Sequence, residues 1–289
     1  MTQLGVVVVA HQSASVIGAC LASVSQDTPA GTVVVVVDNA STDGTVAAAR
    51  SAMADVLVHE TGRNAGYAGG INAGLACLPR TDTVLVLNPD VRLRPGAVAA
   101  LHAVLDLPGI GIAVPRMLDT DGHVQWSLRR RPTVLRAMGE ALLGGNRAGR
   151  VPALGELVAE PGTYEHPAVA DWATGAAMLL SRACLDAVGP WDESFFLYSE
   201  ETEFALRAAD AGFKLRYTPD ASVVHLGGES TTSPALYRLL AANRLALYRR
   251  THGRAASAAF RGALIVNESL RAPRGPTHRA ALRTLLFEV

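Results

Sequence analysis

The sequence predicts an α/β fold: a mostly parallel central sheet with helices on both faces. Three observations predict it. The runs Leu4 to Ala10 and Thr32 to Val37, and the run within Thr83 to Val91 that ends in Asn-Pro-Asp, are apolar instead of alternating, as strands covered on both faces must be. Stretches with helical spacing separate these runs, and that alternation is what produces parallel strands. Hydrophobic residues make up 49% of the 289 positions, ample for the core of one large α/β domain or two smaller ones.

The elements follow in order. Leu4 to Ala10 reads as the first strand, and Val16, Ile17, Cys20, Leu21 and Val24 then recur at helical spacing behind Ser13 or Ser15 as a cap. Thr32 to Val37 repeats the strand, ending in the polar run Asp38 to Thr45, with a helix over Val46 to Met53 and a short strand over Val56 to Val58. Arg63 to Gly74, RNAGYAGGINAG, is too rich in Gly and Asn to read as plain helix. It is a loop where backbone approaches a ligand, or a structural loop with a helix start, and the helical Leu75 to Leu78 follows it. Its glycine spacing is a poor match to a dinucleotide fingerprint, which disfavours an NAD-dependent oxidoreductase.

Thr83 to Val91 is an apolar strand ending in Asn88-Pro89-Asp90. A carboxylate at the carboxyl edge of a parallel sheet is placed to meet a metal or phosphate, and the alternative for Asp90 is an ordinary solvated turn residue. A helix over Pro95 to Leu105, a strand over Ile110 to Pro115 and a hairpin turn at Asp119 to Gly122 into Val124 to Leu128 come next. Arg129 to Pro167 is rich in Gly, Pro and Arg with weak periodicity, and is expected to be a mobile segment.

Ala176 to Leu180 reads as a strand, Arg182 to Val188 as a short helix and Glu200 to Ala211 as a helix closed by Gly212. Glu200, Glu201 and Glu203 fall in the first turn of that last helix, where its dipole favours acids, and Glu203 can pair with Arg207. Phe195 to Tyr198, directly before them, would put the carboxylates at the lip of an apolar cleft. Leu215 to Thr218 and Ser222 to His225 read as two short strands, with His225 open to either a metal-ligand role or a hydrogen-bonded surface role.

Charge is unevenly spread. Before Ala235 there are 16 Lys and Arg against 24 Asp and Glu, and from Ala235 onward ten against two. Leu236, Leu239, Leu240, Leu245 and Leu247 alternate with arginines in that tail, which is expected either to dock on an anionic membrane surface or to pack as a solvated helix on the domain. Cys20, Cys77 and Cys184 are far apart in apolar surroundings and read as core thiols, neither a disulfide framework nor a zinc set. No secretory signal pattern opens the chain and no run nears the ~20 apolar residues of a membrane span, so the expected location is cytoplasmic, free or lying on the inner face of the membrane.

Six blocks in order carry a family resemblance: VDNASTDGT, RNAGYAGGINAG, LNPDV, WATGAAMLLSR, WDESFFLYSEETEFALRAADAGF and VVHLGG. From about Val6 to Ser230 the chain resembles the family 2 inverting glycosyltransferases of the GT-A fold, nearest the bacterial rhamnosyltransferases acting on polyprenyl-linked acceptors. The resemblance implies a Rossmann-like sheet with a helical, basic C-terminal extension. It divides the chain into a transferase domain at 1–234, with a nucleotide-sugar half at 1–115 and an acceptor and catalytic half at 116–234, and an extension at 235–289.

The same resemblance implies the site. Asp38 would read the pyrimidine through a ring N–H that uracil and thymine have and cytosine lacks, helped by Ala10 and His11. Asn64, Gly66 and Tyr67 would line nucleotide and sugar. Asn88-Pro89-Asp90 stands where the family has its metal-binding acids, with Asn88 supplying only a neutral oxygen. Asp90 and His225 would hold Mn²⁺ or Mg²⁺, and the His leans the site toward Mn²⁺. Glu200-Glu201 replaces the usual Glu-Asp, making Glu201 the base that deprotonates the acceptor hydroxyl. Trp172, Gly175, Asp192, Glu193 and Glu200 fall on the acceptor and sugar side. The donor is expected to be a dTDP- or UDP-sugar, best dTDP-L-rhamnose, the acceptor a lipid-linked or surface glycan; nucleic acid is not among the expected partners. The competing reading is a nucleotide-sugar or glycan binding module without turnover, which Asn88 and Glu201 favour. A sugar-1-phosphate nucleotidyltransferase is disfavoured because His11 to Ser15 stands where a Gly-rich phosphate loop belongs.

Overall fold

The computed structural model describes residues 3–227 and 233–288. The last part of the resemblance, from Gly228 to Ser230, lies outside the described residues. The first half of the chain builds β1 (Leu4–Ala10), α1 (Ile17–Asp27), β2 (Val33–Asp38), α2 (Thr45–Ala52), β3 (Leu57–Glu60), α3 (Gly66–Cys77), β4 (Thr83–Leu87), β5 (Val91–Leu93), α4 (Ala97–Leu105), β6 (Ile110–Leu118), β7 (Val124–Gln125), β8 (Leu128–Arg129), α5 (Val134–Leu143) and α6 (Gly145–Ala148). The second half adds β9 (Ala168–Ala170), β10 (Trp172–Ala173), β11 (Ala177–Ser181), α7 (Arg182–Val188), α8 (Glu200–Asp210), β12 (Lys214–His225), α9 (Pro234–Thr251), α10 (Arg254–Arg271) and α11 (Pro276–Phe287). The chain forms two units: Met1–Gln125, Tyr164–Phe196 and Glu200–Gly227 make the first, and Trp126–Thr163, Leu197–Ser199 and Gly228–Val289 the second. Residues 126–163, expected within the 116–234 half, thus cluster with the C-terminal helices.

Unit one is organised by a ten-stranded sheet in the order β3-β2-β1-β4-β11-β6-β12-β5, with β7 on β6 and β9 on β12. β3, β2, β1 and β4 run parallel, as their unbroken apolar runs require. β11 enters antiparallel between β4 and β6, so β6 and its parallel partner β12 point the same way as β4. Consequently the carboxyl ends of β1, β2, β4 and β12 and the amino end of β11 share one edge of the sheet. The core beneath it is Val-, Leu- and Ile-rich, with Val6, Val8, Ile17, Leu21, Val36, Leu85 and Leu101 fully buried.

Several expectations need correcting. RNAGYAGGINAG is mostly helix: α3 starts at Gly66, and its glycines serve close packing, since a Cβ on Gly70 or Gly74 would lie 2.4 Å from Val9 Cγ1 or Val7 Cγ1 on β1. Neither Ser13 nor Ser15 caps α1 through its side chain; the Ser13 carbonyl accepts from Val16 N and Ile17 N instead. The two strands expected over Leu215 to His225 are one strand, β12, with an irregularity between Thr218 and Ser222. Cys20 and Cys184 are buried, but Cys77, at the end of α3, is exposed. The bounds of β1 and α7 are as expected from the sequence.

Unit two contains the segment expected to be mobile. It is ordered by hydrogen bonds in place of apolar periodicity: Arg130 Nη1 donates to the carbonyls of Gly149, Gly155 and Leu157, and its guanidinium pairs with Glu160. α5, α9, α10 and α11 share a core of Ala137, Ala241, Leu245, Tyr248, Phe260, Leu264 and Leu285. Arg244 bridges Glu140 and Glu156 at 3.4 and 2.7 Å. Leu245 and Leu247, expected on an apolar stripe, are buried. Asn243 Nδ2 donates to the carbonyls of Leu197 and Tyr198 at 2.9 and 3.1 Å, where Tyr198 and Ser199 take left-handed backbone with φ of 70° and 75°. No helix among the described residues is long and apolar enough to cross a membrane.

Candidate active site

At the edge of the sheet, Ala10 and Asp38 are register partners at the ends of β1 and β2. Both are buried, and the Ala10 carbonyl accepts from Asn39 N at 2.8 Å. Asp38 Oδ2 accepts from Ser41 N at 3.0 Å, while Oδ1 is buried with no hydrogen-bond partner among the described residues. A buried carboxylate oxygen left unpaired is costly and is suited to a donor supplied by a ligand. His11 Nδ1 lies 2.8 Å from the Asn39 carbonyl and must be its donor, which leaves Nε2 as the acceptor on an exposed ring.

The next residues enter from α3. Asn64 Oδ1 accepts from Gly66 N at 3.0 Å, and Asn39 Nδ2 donates to the Gly66 carbonyl at 2.9 Å. Gly66 has φ 76°, and a Cβ there would sit 2.1 Å from the Phe196 carbonyl oxygen, to which Tyr67 N donates at 2.9 Å. Tyr67 Oη donates to the Gly175 carbonyl at 2.9 Å. Burial and the charges of Glu200, Glu201 and Asp90 hold the Tyr67 phenol well above its ordinary pKa, so three expected site acids act on one hydroxyl.

At the tip of β4, Asn88 N donates to the Ala176 carbonyl at 2.8 Å, which ties the Asn-Pro-Asp turn to the start of β11. Asp90 Oδ2 accepts from Gly227 N at 2.9 Å and lies 3.5 Å from His225 Nε2. Gln125 fixes the ring: its Nε2 donates to the His225 carbonyl at 2.9 Å, so its Oε1 faces His225 Nδ1 at 3.2 Å and requires the proton there. A neutral His225 therefore turns a bare Nε2 toward a carboxylate oxygen. Two acceptors facing each other can share a cation, and a carboxylate with an imidazole suits Mn²⁺.

Glu200 and Glu201 open α8; Glu200 is buried and Glu201 partly so. A Cβ added to Gly175 would lie 3.1 Å from Glu201 Cβ, so that glycine admits the helix to the edge where Tyr67 meets Gly175. Trp172, on β10, is part-buried. Asp192 Oδ1 accepts from Ser194 N at 2.9 Å, and exposed Glu193 accepts from Asn72 Nδ2 at 2.9 Å. Phe195 is buried but Phe196 is 41% exposed, so one aromatic of the expected apolar lip faces solvent. Glu203 pairs with Arg207 at 2.6 Å, as the spacing predicts.

Sequence reasoning missed Gln125, which has no local signal in a hairpin. It also missed Asn39 and Asn72, which sit inside blocks already singled out. Asn72 holds the loop before α8, with Oδ1 accepting from Trp191 N and Nδ2 donating to the Trp191 carbonyl, both at 2.9 Å. Among the described residues, the one group of three metal-capable side chains is Asp119, Asp121 and His123. It spells Asp-Thr-Asp, but Asp119 Oδ1 is engaged by Asp121 N and His123 N at 2.9 and 2.8 Å, the bonding of a hairpin turn.

Residues 5–154 match glycosyl transferase family 2, and residues 163–248 match glycosyl transferase family group 2. The chain is 34% identical over 224 residues to the N-acetylglucosaminyl-diphospho-decaprenol L-rhamnosyltransferase of Mycobacterium tuberculosis, covering 73% of this chain and 72% of the relative. Among solved structures it is similar to the mannosyltransferase PcManGT from Pyrobaculum calidifontis in complex with GDP-Man and Mn²⁺, with a TM-score of 0.63, 17% identity and 99% and 88% of the two chains covered. It is also similar to GalNAc-T7 with UDP, GalNAc and Mn²⁺, with a TM-score of 0.64 and 15% identity, covering 98% of this chain but only 54% of that one, about half its length. These likenesses show the GT-A fold, and by its sequence the chain belongs to glycosyl transferase family 2.

Proposed function

We propose that the chain is an inverting transferase that moves L-rhamnose from dTDP-rhamnose to a hydroxyl of a polyprenyl-diphosphate-linked glycan at the cytoplasmic face of a membrane. The observation that carries the reading is the facing pair Asp90 Oδ2 and His225 Nε2 at the sheet edge, beside α8 with its acids. The identity to a decaprenol-linked rhamnosyltransferase supports the donor and acceptor. In this reading the transferase chemistry lies within 1–234, and the basic helices of 235–289 approach the acceptor's membrane.

Asp38 Oδ1 accepts the ring N–H of thymine, and Asn64, Gly66 and Tyr67 line the nucleotide and sugar. Asp90 and His225 hold the divalent ion, with Asn88 offering a neutral oxygen; when bound, the ion supplies positive charge to the departing diphosphate. Glu201 takes the acceptor hydroxyl proton as the acceptor oxygen bonds to the anomeric carbon. The bond from that carbon to the diphosphate breaks on the opposite face, so dTDP leaves and the centre inverts. Glu200, Trp172, Gly175, Asp192 and Glu193 shape the acceptor side, the last two through the turn they hold.

The test is dTDP release from dTDP-rhamnose in the presence of a polyprenyl-diphosphate-linked N-acetylglucosamine, with other nucleotide sugars as competitors. Glu201→Gln should lower turnover by about 10²–10⁴-fold while thermal stability and dTDP affinity stay as they were. Undiminished turnover in that variant removes Glu201 as the base. Nucleotide binding without any turnover of the wild-type chain favours the binding module instead.

A further inference from the structure

Unit two carries a second feature that the transfer reaction does not use. Its amphipathic residues Leu245 and Leu247 are already buried, so α9 has no broad apolar face to lay on a bilayer. A cavity of about 680 Å³ opens instead where α9, α10 and α11 meet, and Arg249, Arg254, Arg261, His252, Ile265 and Leu286 are among its lining residues. No carboxylate lines it among the described residues. Arg261 is fixed across the end of α11, its Nε and Nη2 donating to the carbonyls of Leu285 and Leu286 at 2.7 and 3.0 Å. Arg249 and Arg254 are exposed and make no hydrogen bond or ion pair with any described residue, so their charge is unspent.

The surroundings are apolar as well as cationic: Leu286 is 42% exposed and Phe287 80%. Guanidinium groups bind phosphate through paired N–H donors, and long arginine side chains lay their methylenes along apolar neighbours. A ligand that matches both is a phosphate carrying hydrocarbon chains. A free phosphate would leave Leu286 and Phe287 in water, whereas a lipid surface would cover them. We propose that this cavity docks the phosphate headgroup of an anionic phospholipid, seating unit two on a membrane surface. The assignment deepens the membrane-facing part of the function proposed above, but its test does not depend on turnover.

The test is flotation of the full chain with vesicles of phosphatidylcholine alone and of phosphatidylcholine with about 30% phosphatidylglycerol, at low and high salt. Wild type should float with the anionic vesicles only, and less at high salt. R249A/R254A should bind about 30-fold more weakly, roughly fivefold for each arginine lost near an anionic surface. R249K/R254K should keep most of the binding, and R279A/R283A, with the same charge change on exposed α11 positions outside the cavity, should lose no more than about fivefold. Equal losses in R249A/R254A and R279A/R283A would mean diffuse attraction and overturn the cavity assignment, as would wild type that floats with neither vesicle. Inorganic phosphate at constant ionic strength should leave vesicle binding unchanged; if it displaces the chain and raises its thermal stability, the cavity is a free-phosphate site and the lipid assignment falls. Calorimetry with dTDP on the same samples keeps a failure here separate from a failure of the transferase reading.

Discussion

Asp90 Oδ2 and His225 Nε2 lie 3.5 Å apart although one follows β4 and the other ends β12. The reason is topological. β5 follows Asp90 directly and pairs antiparallel with the end of β12, with Val91 and His225 as register partners. The strand tip that supplies only one acid is thereby completed by an imidazole from the far end of the domain. The side chains are 23% and 13% exposed, respectively, so the pair is shielded without being sealed.

Gln125 decides whether that pair can act together. Its amide sets the proton on His225 Nδ1 and leaves Nε2 free to ligate. Gln125→Ala should lower Mn²⁺ affinity by about 10–100-fold, the usual cost of losing a partner behind a metal-bound histidine. His225→Ala should cost at least as much. Mn²⁺ binding followed by electron paramagnetic resonance in the presence of dTDP reads both, and unchanged affinity in the two variants would remove the metal role from this pair.

The strands were legible because buried parallel strands leave unbroken Val and Leu runs, as in β1 and β4. α3 was not, because Gly66, Gly69, Gly70 and Gly74 read locally as loop, and only tertiary neighbours, Phe196 at Gly66 and Val9 and Val7 at Gly70 and Gly74, explain glycine on that helix. The 126–163 segment was illegible for a different reason: arginine-to-carbonyl bonds order it, and those leave no periodicity in the sequence. In the site, Asp38, Asp90 and His225 stood out as polar residues ending apolar runs. Gln125 sits on a two-residue strand whose role exists only once β12 is in place.

Asp38 carries a base-specificity prediction. Oδ2 is committed to Ser41 N, so Asp38→Asn should keep its oxygen there and turn its amide nitrogen to where Oδ1 stood. An acceptor for the ring N–H of thymine or uracil then becomes a donor suited to cytosine. Losing a hydrogen bond to a charged group corresponds to about 10–150-fold in affinity for dTDP and UDP. Calorimetry with dTDP, UDP and CDP checks it: a variant that keeps the wild-type order of the three would show that Asp38 does not read the base.

Gly66 is the position where backbone, not side chain, holds the nucleotide loop against the segment before α8. Any Cβ meets the Phe196 carbonyl oxygen at 2.1 Å, and φ of 76° is itself unfavourable for other residues. Gly66→Ala should therefore cost more than about 2 kcal/mol of stability, the left-handed strain alone accounting for roughly 1–2. Gly62, with φ 70° and open space around it, is the control: Gly62→Ala should lose only the backbone share. Equal urea midpoints for the two variants would show that contact with Phe196 is not what Gly66 provides.

Asp43 ties the loop after β2 to the loop after β1. Its Oδ1 accepts from Thr45 Oγ1 and Thr45 N at 2.6 and 3.1 Å, and Oδ2 accepts from Ala14 N at 2.9 Å. The Thr45 hydroxyl foremost, then the Ala14 amide, hold its pKa below the ordinary 3.8. With the folded value depressed, the unfolded chain takes up the proton first as pH falls. The stability Asp43 contributes is then complete above the ordinary carboxylate range and is lost as pH drops through the folded value. Asp43→Asn removes that titration and keeps only one accepting oxygen for Ala14 N and Thr45. The gap between wild-type and variant urea midpoints should hold steady from neutrality to about pH 5 and close progressively below it. A gap that stays open to the lowest pH at which both remain folded would mean that the charge on Asp43 contributes nothing to holding the two loops together.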